Sequence, residues 1–562
     1  EHNDIKYICP HHEQAGAMAA DAYSRINGNI GCAIATSGPG ATNLLTGIAG
    51  AWFDSIPVLY LTGQVARFRF KGETGVRQMG FQETDIISMS KPITKYAVLI
   101  TKAEDLIPEL EKAIKIAKSD RPGPVLVDIP DDLQREMVSQ DLINYNKPIH
   151  IKKSDVKKPS QKDVDDCLLM IKKAKRPVIV IGSGVRLANA IDEVVDLINY
   201  LKIPVCPSWA AADIIASDSP YFSGSFGTHG TRAGNFVIQN ADLILAIGAR
   251  LSTHETGSPM NSWAREAKTV IVDIDPAELK KFPTFKKPID LSIECDAGAF
   301  VNMLLKTSKK NKISNFKKWV DQVYKWHQKY PICNPKYHLE KFINPYVFID
   351  SLSEHLDQDD VIVVDTGCAV AWTLQGFKFK KGQRILHAFN NTPMGYALPA
   401  AIGASFALGK NRRVICIAGD GSLMMNLQEL STVQHEKLNI KLFLINNDGY
   451  AMVQQTQEQW LGANYYATSH GGGLSFPDFQ LMAKSFEFNC TEITENKHVN
   501  ERILETLKIS GPVLCDVRIS KHHRVVPQSK FGRPIEDSEP MLPRDEFIKN
   551  MIVKPMDVSL ND

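Results

Sequence analysis

One stretch constrains this chain more than any other: GDGSLMMNLQELSTVQHEKLNIKLFLINND, residues 419–448. The apolar run 414–418 leads into Gly419-Asp420-Gly421-Ser422, a helical pattern follows, and a second apolar run, 440–445, ends at Asn446-Asn447. A strand–helix–strand crossover sets both strand tips on one edge of a parallel sheet. An acid at one tip and an amide at the next are hard oxygen donors. A glycine turn opening a helix presents backbone N–H groups to an anion. The stretch predicts Mg2+ held by Asp420, the Asn447 side chain and the backbone at Gly449. Two diphosphate oxygens and a water would complete the octahedron.

The same alternation of strands and helices runs along the 562 residues. The fold class expected is α/β, three doubly wound parallel-sheet domains. The first spans 1–143, with an Ala-rich helix opening at His12-Glu13-Gln14 and strands at 30–36, 58–62 and 123–129. A strand-like run at 5–9 follows so soon after Glu1 that a preceding segment is expected. A lysine-rich linker occupies 144–162. The second domain spans 163–305, and its strands run into Gly182-Ser183-Gly184, into Gly248-Ala249-Arg250, and into Asp273 and Asp275. A connector (306–344) leads to the third domain (345–520). The proline-bearing tail (521–562) is expected to drape over the surface or cover the site.

Composition removes several classes. A formal net charge of +2 gives no electrostatic case for nucleic acid or a membrane surface. No apolar run reaches the roughly 18 residues of a membrane span, and no signal peptide is visible. The ten cysteines are scattered singly, without CxxC pairs. Neither zinc nor a disulfide framework is indicated, and a cytoplasmic location fits.

The segments HEQAGAMAADAYSR (12–25), TSGPGATN (36–43), FQET (81–84), RPGPVLVDIP (121–130), MGYALPAAIGA (394–404) and GDGS…NN carry a resemblance. The chain resembles the thiamine-diphosphate-dependent acetolactate synthase (acetohydroxyacid synthase) family over nearly all of 1–520. The resemblance implies a pyrimidine-binding, a flavin-binding and a diphosphate-binding domain. It also implies thiamine diphosphate, Mg2+ and FAD as cofactors, and active sites between the subunits of a homodimer or homotetramer. Alone, Glu13 reads as a helix-start carboxylate. The resemblance makes it the group that bonds a pyrimidine ring nitrogen and drives the cofactor's imino form, with burial tuning it for proton exchange. Met394, otherwise a core methionine, becomes the wedge under a bent cofactor, with the Thr392 backbone beside it. Phe81 and Gln82 line the pocket over the thiazolium. Gly367, Gly419, Gly421, Ser422 and Met452 are further cofactor-binding residues that the resemblance implies. Arg121, Gly182, Ser183, Gly184, His229, Gly248, Arg250, Asp273 and Asp275 match flavin-contacting stretches; a vestigial domain without flavin is the plainer alternative.

Two departures fall on the acceptor side. The family carries an arginine four residues after that of GAR, and this chain has His254. Bidentate capture of a carboxylate is an arginine task. A family tryptophan is replaced by Thr456, with Trp460 one turn on. With Lys95, these form the expected acceptor pocket. The expected activity is decarboxylation of pyruvate and transfer of its two-carbon unit to a ketone or aldehyde such as a keto-sugar. The tail run at 532–547 also resembles synthase-like proteins of surface-sugar pathways. The alternatives are acetolactate synthesis from two 2-keto acids, and a 2-keto acid decarboxylase, oxidase or C–C hydrolase.

Overall fold

The computed structural model of the chain describes residues 5–138, 158–530 and 532–560, leaving aside the Phe285 side chain. Three parallel sheets form its frame. The first holds β1 (Gly31–Ala35), β2 (Val58–Gln64), β3 (Tyr96–Leu99) and β4 (Val125–Pro130) in the order β1-β2-β4-β3. The second runs β6-β5-β7-β8-β9, built from β5 (Pro177–Ile181), β6 (Val205–Pro207), β7 (Leu243–Ile247), β8 (Lys268–Asp273) and β9 (Leu291–Glu294). The third runs β11-β10-β12-β13-β15-β14, from β10 (Val361–Val364), β11 (Arg384–Leu386), β12 (Val414–Gly419), β13 (Ile440–Asn446), β14 (Asn489–Ile493) and β15 (Val513–Arg518).

Strands β5, β7 and β13 are buried at every position. Parallel strands covered by helices on both faces need continuous apolar runs, which is what made them legible. In the second and third sheets the chain crosses over first to one side of its opening strand and then to the other. The order therefore reverses between β5 and β7, and between β10 and β12. Crevices open at such points, outside the carboxyl ends of the strands.

The first and third domains pack through small residues. Helix Glu13–Asn27 lies against helix Ala397–Leu408. A Cβ on Gly403 would stand 2.0 Å from the Ala19 carbonyl oxygen, so only glycine permits this approach. Glu429, fully buried, accepts the backbone N–H groups of His11 and His12 at 3.0 and 3.1 Å, tying the start of the first helix to the third domain.

Several expectations fail. Residues 5–10 form no strand, and Ile5 and Tyr7 are exposed. Strand β3 was not foreseen; its four residues are only half-buried and so lack a continuous apolar run. The crossover after Asp420 holds two short helices, Asp420–Met425 and Glu429–His435. Between them Asn426 donates its amide to the Gly395 carbonyl at 2.8 Å. Residues 144–157 of the linker lie outside the described residues, and helix Gln161–Lys173 begins within its last two. Helix Lys317–Lys329 in the connector buries Trp319, Val323 and Trp326 against the second domain.

The tail does not drape. Ile535 and Phe547 are fully buried in the core of the second domain. Asn235 Nδ2 donates to Ile535 O at 2.8 Å, and Trp326 Nε1 donates to Asn550 Oδ1 at 2.8 Å. The buried Glu536 carboxylate pairs with Arg265 at 2.8 Å. Breaking one side of a buried ion pair costs about 3–5 kcal/mol. Glu536→Ala is therefore expected to lower the urea midpoint of the unfolding transition that exposes Trp319 and Trp326, followed by tryptophan fluorescence.

Candidate active site

The tips of β10, β12 and β13 form the first crevice. Asp420 is buried at the β12 tip. Its Oδ2 accepts the N–H groups of Asn447 and Gly449 at 3.0 and 3.2 Å, and its Oδ1 that of Gly421 at 2.6 Å. Burial pushes its pKa up to about 6, against these hydrogen bonds. One terminal atom of the Asn447 carboxamide lies 3.0 Å from Gly449 O and 3.3 Å from Asp420 Oδ2. Set as nitrogen, it donates to both; set as oxygen, it makes three oxygens face one point. A carboxylate, an amide oxygen and a backbone carbonyl are a hard donor set, so these residues fit Mg2+. Among the described residues no cluster of three or more His, Cys, Asp or Glu side chains offers another metal site.

The other expected residues follow the carboxyl ends of β10, β11 and β12 in the chain. Gly419 is the N-cap of helix Asp420–Met425, and a Cβ there would meet open space, as a cradle for a diphosphate needs. Gly421 has a different reason: a Cβ would stand 2.0 Å from the Tyr450 ring. Gly367 caps helix Cys368–Gly376 with φ 76°, and a Cβ there would come within 3.8 Å of Met452. Thr392 is exposed with φ 46°, and Met394 is half-buried.

Sequence reasoning missed the residue that holds this loop. Asp365, buried at the β10 tip, accepts the N–H groups of Gly395 at 3.0 Å and Ala397 at 2.8 Å. It also accepts the Thr366 N–H and bonds the Ser422 hydroxyl. The signal was available as an acid ending an apolar run, VVD, as at Asp420.

The first domain presents a separate set. Glu13 opens its helix half-buried, and its Oε2 accepts from Asn43 Nδ2 at 3.0 Å. A Cβ on Gly40 would lie 3.1 Å from Glu13 Oε1, so the SGPG turn lets the carboxyl group in. Gln82, at φ 66°, packs on Gly38 of that turn. Phe81 is 84% exposed on a loop whose N–H groups at Lys71, Met79 and Gly80 all donate to Glu83. Among the described residues no hydrogen bond or ion pair joins Glu13, Phe81 or Gln82 to Asp420, Asn447 or Gly449.

The second crevice lies at the β5/β7 switch point. Ser183, Gly184, Gly248, Arg250, Asp273 and Arg121 line it. Its glycines serve each other: a Cβ on Gly182 would stand 2.1 Å from Gly248 O, and one on Gly184 2.7 Å from Gly248 Cα. Asp275 is turned away. It caps helix Pro276–Lys280 and pairs with Arg121 at 2.7 Å. Arg121 and Arg250 also share Glu278, at 3.1 and 3.0 Å. Asp296 and Ala297, unforeseen, complete the wall from the tip of β9. An acid at a strand end beside closely packed glycine loops fits the ribose of a bound dinucleotide.

Within one chain the expected acceptor residues do not come together. Lys95 donates to Ile116 O and Ser119 O, both at 2.6 Å, closing the end of helix Leu106–Lys118. It precedes β3, at the amino edge of the first sheet, whereas Phe81 sits by the carboxyl ends of β1, β2 and β4. Thr456 bonds the Met452 carbonyl at 3.2 Å, and Trp460 ends its helix 56% exposed. His254 and His229, expected to serve acceptor and flavin separately, form one pair, Nε2 to Nδ1 at 2.9 Å. Trp209 stands edge-on to His254 with ring centroids 4.1 Å apart. Burial pushes His229 down to about 3, with His254 adding to it, and His254 down to about 4, so the pair is neutral at pH 7.

A hard-oxygen donor set at the strand tips of the third domain and a half-buried glutamate at a helix start of the first are the two parts that the resemblance to thiamine-diphosphate enzymes implies. The three family descriptions that match this chain agree: "Thiamine pyrophosphate enzyme, N-terminal TPP binding domain" at 1–89, "central domain" at 164–304 and "C-terminal TPP binding domain" at 365–517. Within that class the chain belongs to the acetolactate synthase family. It is 34% identical over 537 residues to an acetolactate synthase large subunit of Cyanidium caldarium, covering 94% of this chain and 88% of the relative. It is 33% identical over 523 residues to the acetolactate synthase isozyme 2 large subunit of Escherichia coli K12, covering 93% and 90%. It is 34% identical over 534 residues to the chloroplastic acetolactate synthase 2 of Zea mays, covering 94% and 81%.

Proposed function

We propose that this enzyme condenses two 2-keto acids, with pyruvate as donor, as the names of its relatives indicate. The observation that supports the reading is the Asn447 carboxamide at the strand tips, one terminal atom of which lies 3.0 Å from Gly449 O and 3.3 Å from Asp420 Oδ2. These residues would hold Mg2+, and FAD would lie in the β5/β7 crevice. Bound thiamine diphosphate supplies the carbon nucleophile and the electron sink. Glu13 exchanges the proton that activates it. The half-buried Met394, fixed through Asp365, shapes the cofactor from below. Gly419 admits the diphosphate. Among the described residues no hydrogen bond or ion pair joins Glu13 to Asp420, which supports a working site that pairs the first domain of one subunit with the third domain of another. In this reading the enzyme works as a homodimer or homotetramer.

One observation favours a second reading, in which the acceptor is an uncharged ketone or aldehyde such as a keto-sugar. The family's arginine position holds a neutral histidine already committed to His229. A carboxylate gains little from that pair, whereas a hydroxyl can bond it. Incubation with 13C-pyruvate, alone and with a panel of hydroxylated ketones and aldehydes, separates the two by mass spectrometry. Acetolactate from pyruvate alone at full turnover supports the first; product only with a hydroxylated acceptor supports the second. Free acetaldehyde alone overturns both.

The pair also carries a pH expectation. Both histidines titrate lower folded than their ordinary 6.5. Their contribution is complete above about pH 6.5 and falls as pH drops towards the folded values. Acceptor KM is therefore expected to stay flat from about pH 7 to 8, and thermal stability to fall on acidification below about 6.5.

A further inference from the structure

The loop that carries Thr392 and Met394, residues 387–396, joins β11 to helix Ala397–Leu408. Asp365 of the third domain fixes its far end through Gly395 and Ala397. Its near end is fixed from the first domain. Asp54 is the buried last residue of helix Leu45–Asp54. Its Oδ1 accepts the Asn390 backbone N–H at 3.1 Å and Asn390 Nδ2 at 2.6 Å. Its Oδ2 accepts the Phe389 N–H at 2.9 Å and Arg25 Nη2 at 2.8 Å. Both oxygens are thus doubly used, which only an ionised carboxylate can supply.

The same arginine leads to the other end of the loop. Arg25, in the last turn of helix Glu13–Asn27, also donates to Asp21, Nε to Oδ2 at 2.8 Å and Nη2 to Oδ1 at 3.2 Å. Asp21 Oδ2 accepts the Tyr396 hydroxyl at 2.6 Å. The chain Asp54–Arg25–Asp21–Tyr396 therefore grips the loop on both sides of Thr392 and Met394. The Arg25 side chain is 8% exposed and those of Asp21 and Asp54 3%, so salt screens these pairs little. The corner after Asp54 is anchored as well. Ser55 Oγ accepts Arg121 Nε at 2.8 Å, and Phe53 O accepts Arg250 Nη1 at 3.1 Å.

Between the two grips the backbone turns back on itself. The Thr392 N–H donates to Ala388 O at 2.8 Å, with Thr392 at φ 46°. A left-handed conformation at such a residue persists where the flanking structure imposes it. We infer that Asp54 is a positioning residue for the cofactor site. Through Phe389 and Asn390 it holds the loop that presents Thr392 and Met394 to the organic part of thiamine diphosphate, away from the diphosphate. The inference rests on the role proposed for Met394.

The test measures two affinities by titration calorimetry on the full chain with Mg2+, one for thiamine diphosphate and one for inorganic diphosphate, which reports the Asp420 side alone. Asp54→Asn keeps the shape but turns an NH2 group on two of the donors that the carboxylate held. It is expected to weaken thiamine diphosphate about tenfold, as would a loop that keeps its competent position about a tenth of the time. Its affinity for inorganic diphosphate is expected to stay unchanged. Tyr396→Phe removes one hydroxyl from the grip and is expected to act in the same direction by about threefold. It decides by the same criterion should Asp54→Asn not fold. Met394→Ala is expected to weaken thiamine diphosphate alone. Equal loss of both ligands in Asp54→Asn or Tyr396→Phe would reduce the grip to general stability and overturn the inference. Unchanged thiamine diphosphate affinity in both, beside a loss in Met394→Ala, would overturn the grip and leave the loop's role standing. No loss in Met394→Ala would overturn the loop's role itself, and the inference with it.

Discussion

Replacing Glu13 with glutamine is expected to lower pyruvate turnover by about 10²–10⁴-fold, the usual contribution of a positioned general acid–base group. Glutamine preserves the shape that Gly40 admits and can still accept from Asn43 Nδ2, so the helix start keeps its geometry. What it loses is the exchangeable proton. Thiamine diphosphate binding and the thermal unfolding midpoint are expected to change little. A steady-state assay of CO2 release beside a cofactor titration measures both. Full turnover in Glu13→Gln would remove the proton-exchange role. Parallel loss of turnover and fold would place the residue in structure rather than chemistry.

Asp420→Ala is expected to act on binding instead. The carboxylate holds three backbone N–H groups and faces the Asn447 and Gly449 oxygens. Losing a charged partner of this kind costs about 3 kcal/mol, or about 100-fold in affinity for thiamine diphosphate in the presence of Mg2+. Raised Mg2+ is expected to recover part of the loss. Chelation of the unmodified enzyme is expected to abolish turnover until the cation is restored. Unaltered cofactor affinity in Asp420→Ala, read by calorimetry, would move the cation site elsewhere.

Different parts of the molecule were legible for different reasons. The strands leading to Asp420 and Asn447 were plain because both are buried on two faces and carry uninterrupted apolar runs. Asp365 had the same signature and was passed over, since no glycine follows it at once to mark a turn. The glycines of the second crevice were read as flavin contacts on the strength of the resemblance. The structure gives them a nearer task, letting the tips of β5 and β7 touch.

The chain's own residue pattern determined the three parallel sheets, the acids at their strand tips and the glutamate that opens the first helix. These follow from local rules: periodicity, hard-ligand spacing and the conformational freedom of glycine. The tertiary structure alone decided where His254, Lys95 and the tail belong. His254 answers to a residue 25 positions away, Lys95 to carbonyls 21 and 24 positions away, and the tail to Asn235, 300 positions away. No local pattern encodes such pairings, because they arise only when separate elements pack. That packing commits His254 to His229, sends Lys95 to the far edge of its sheet and folds the tail into a core.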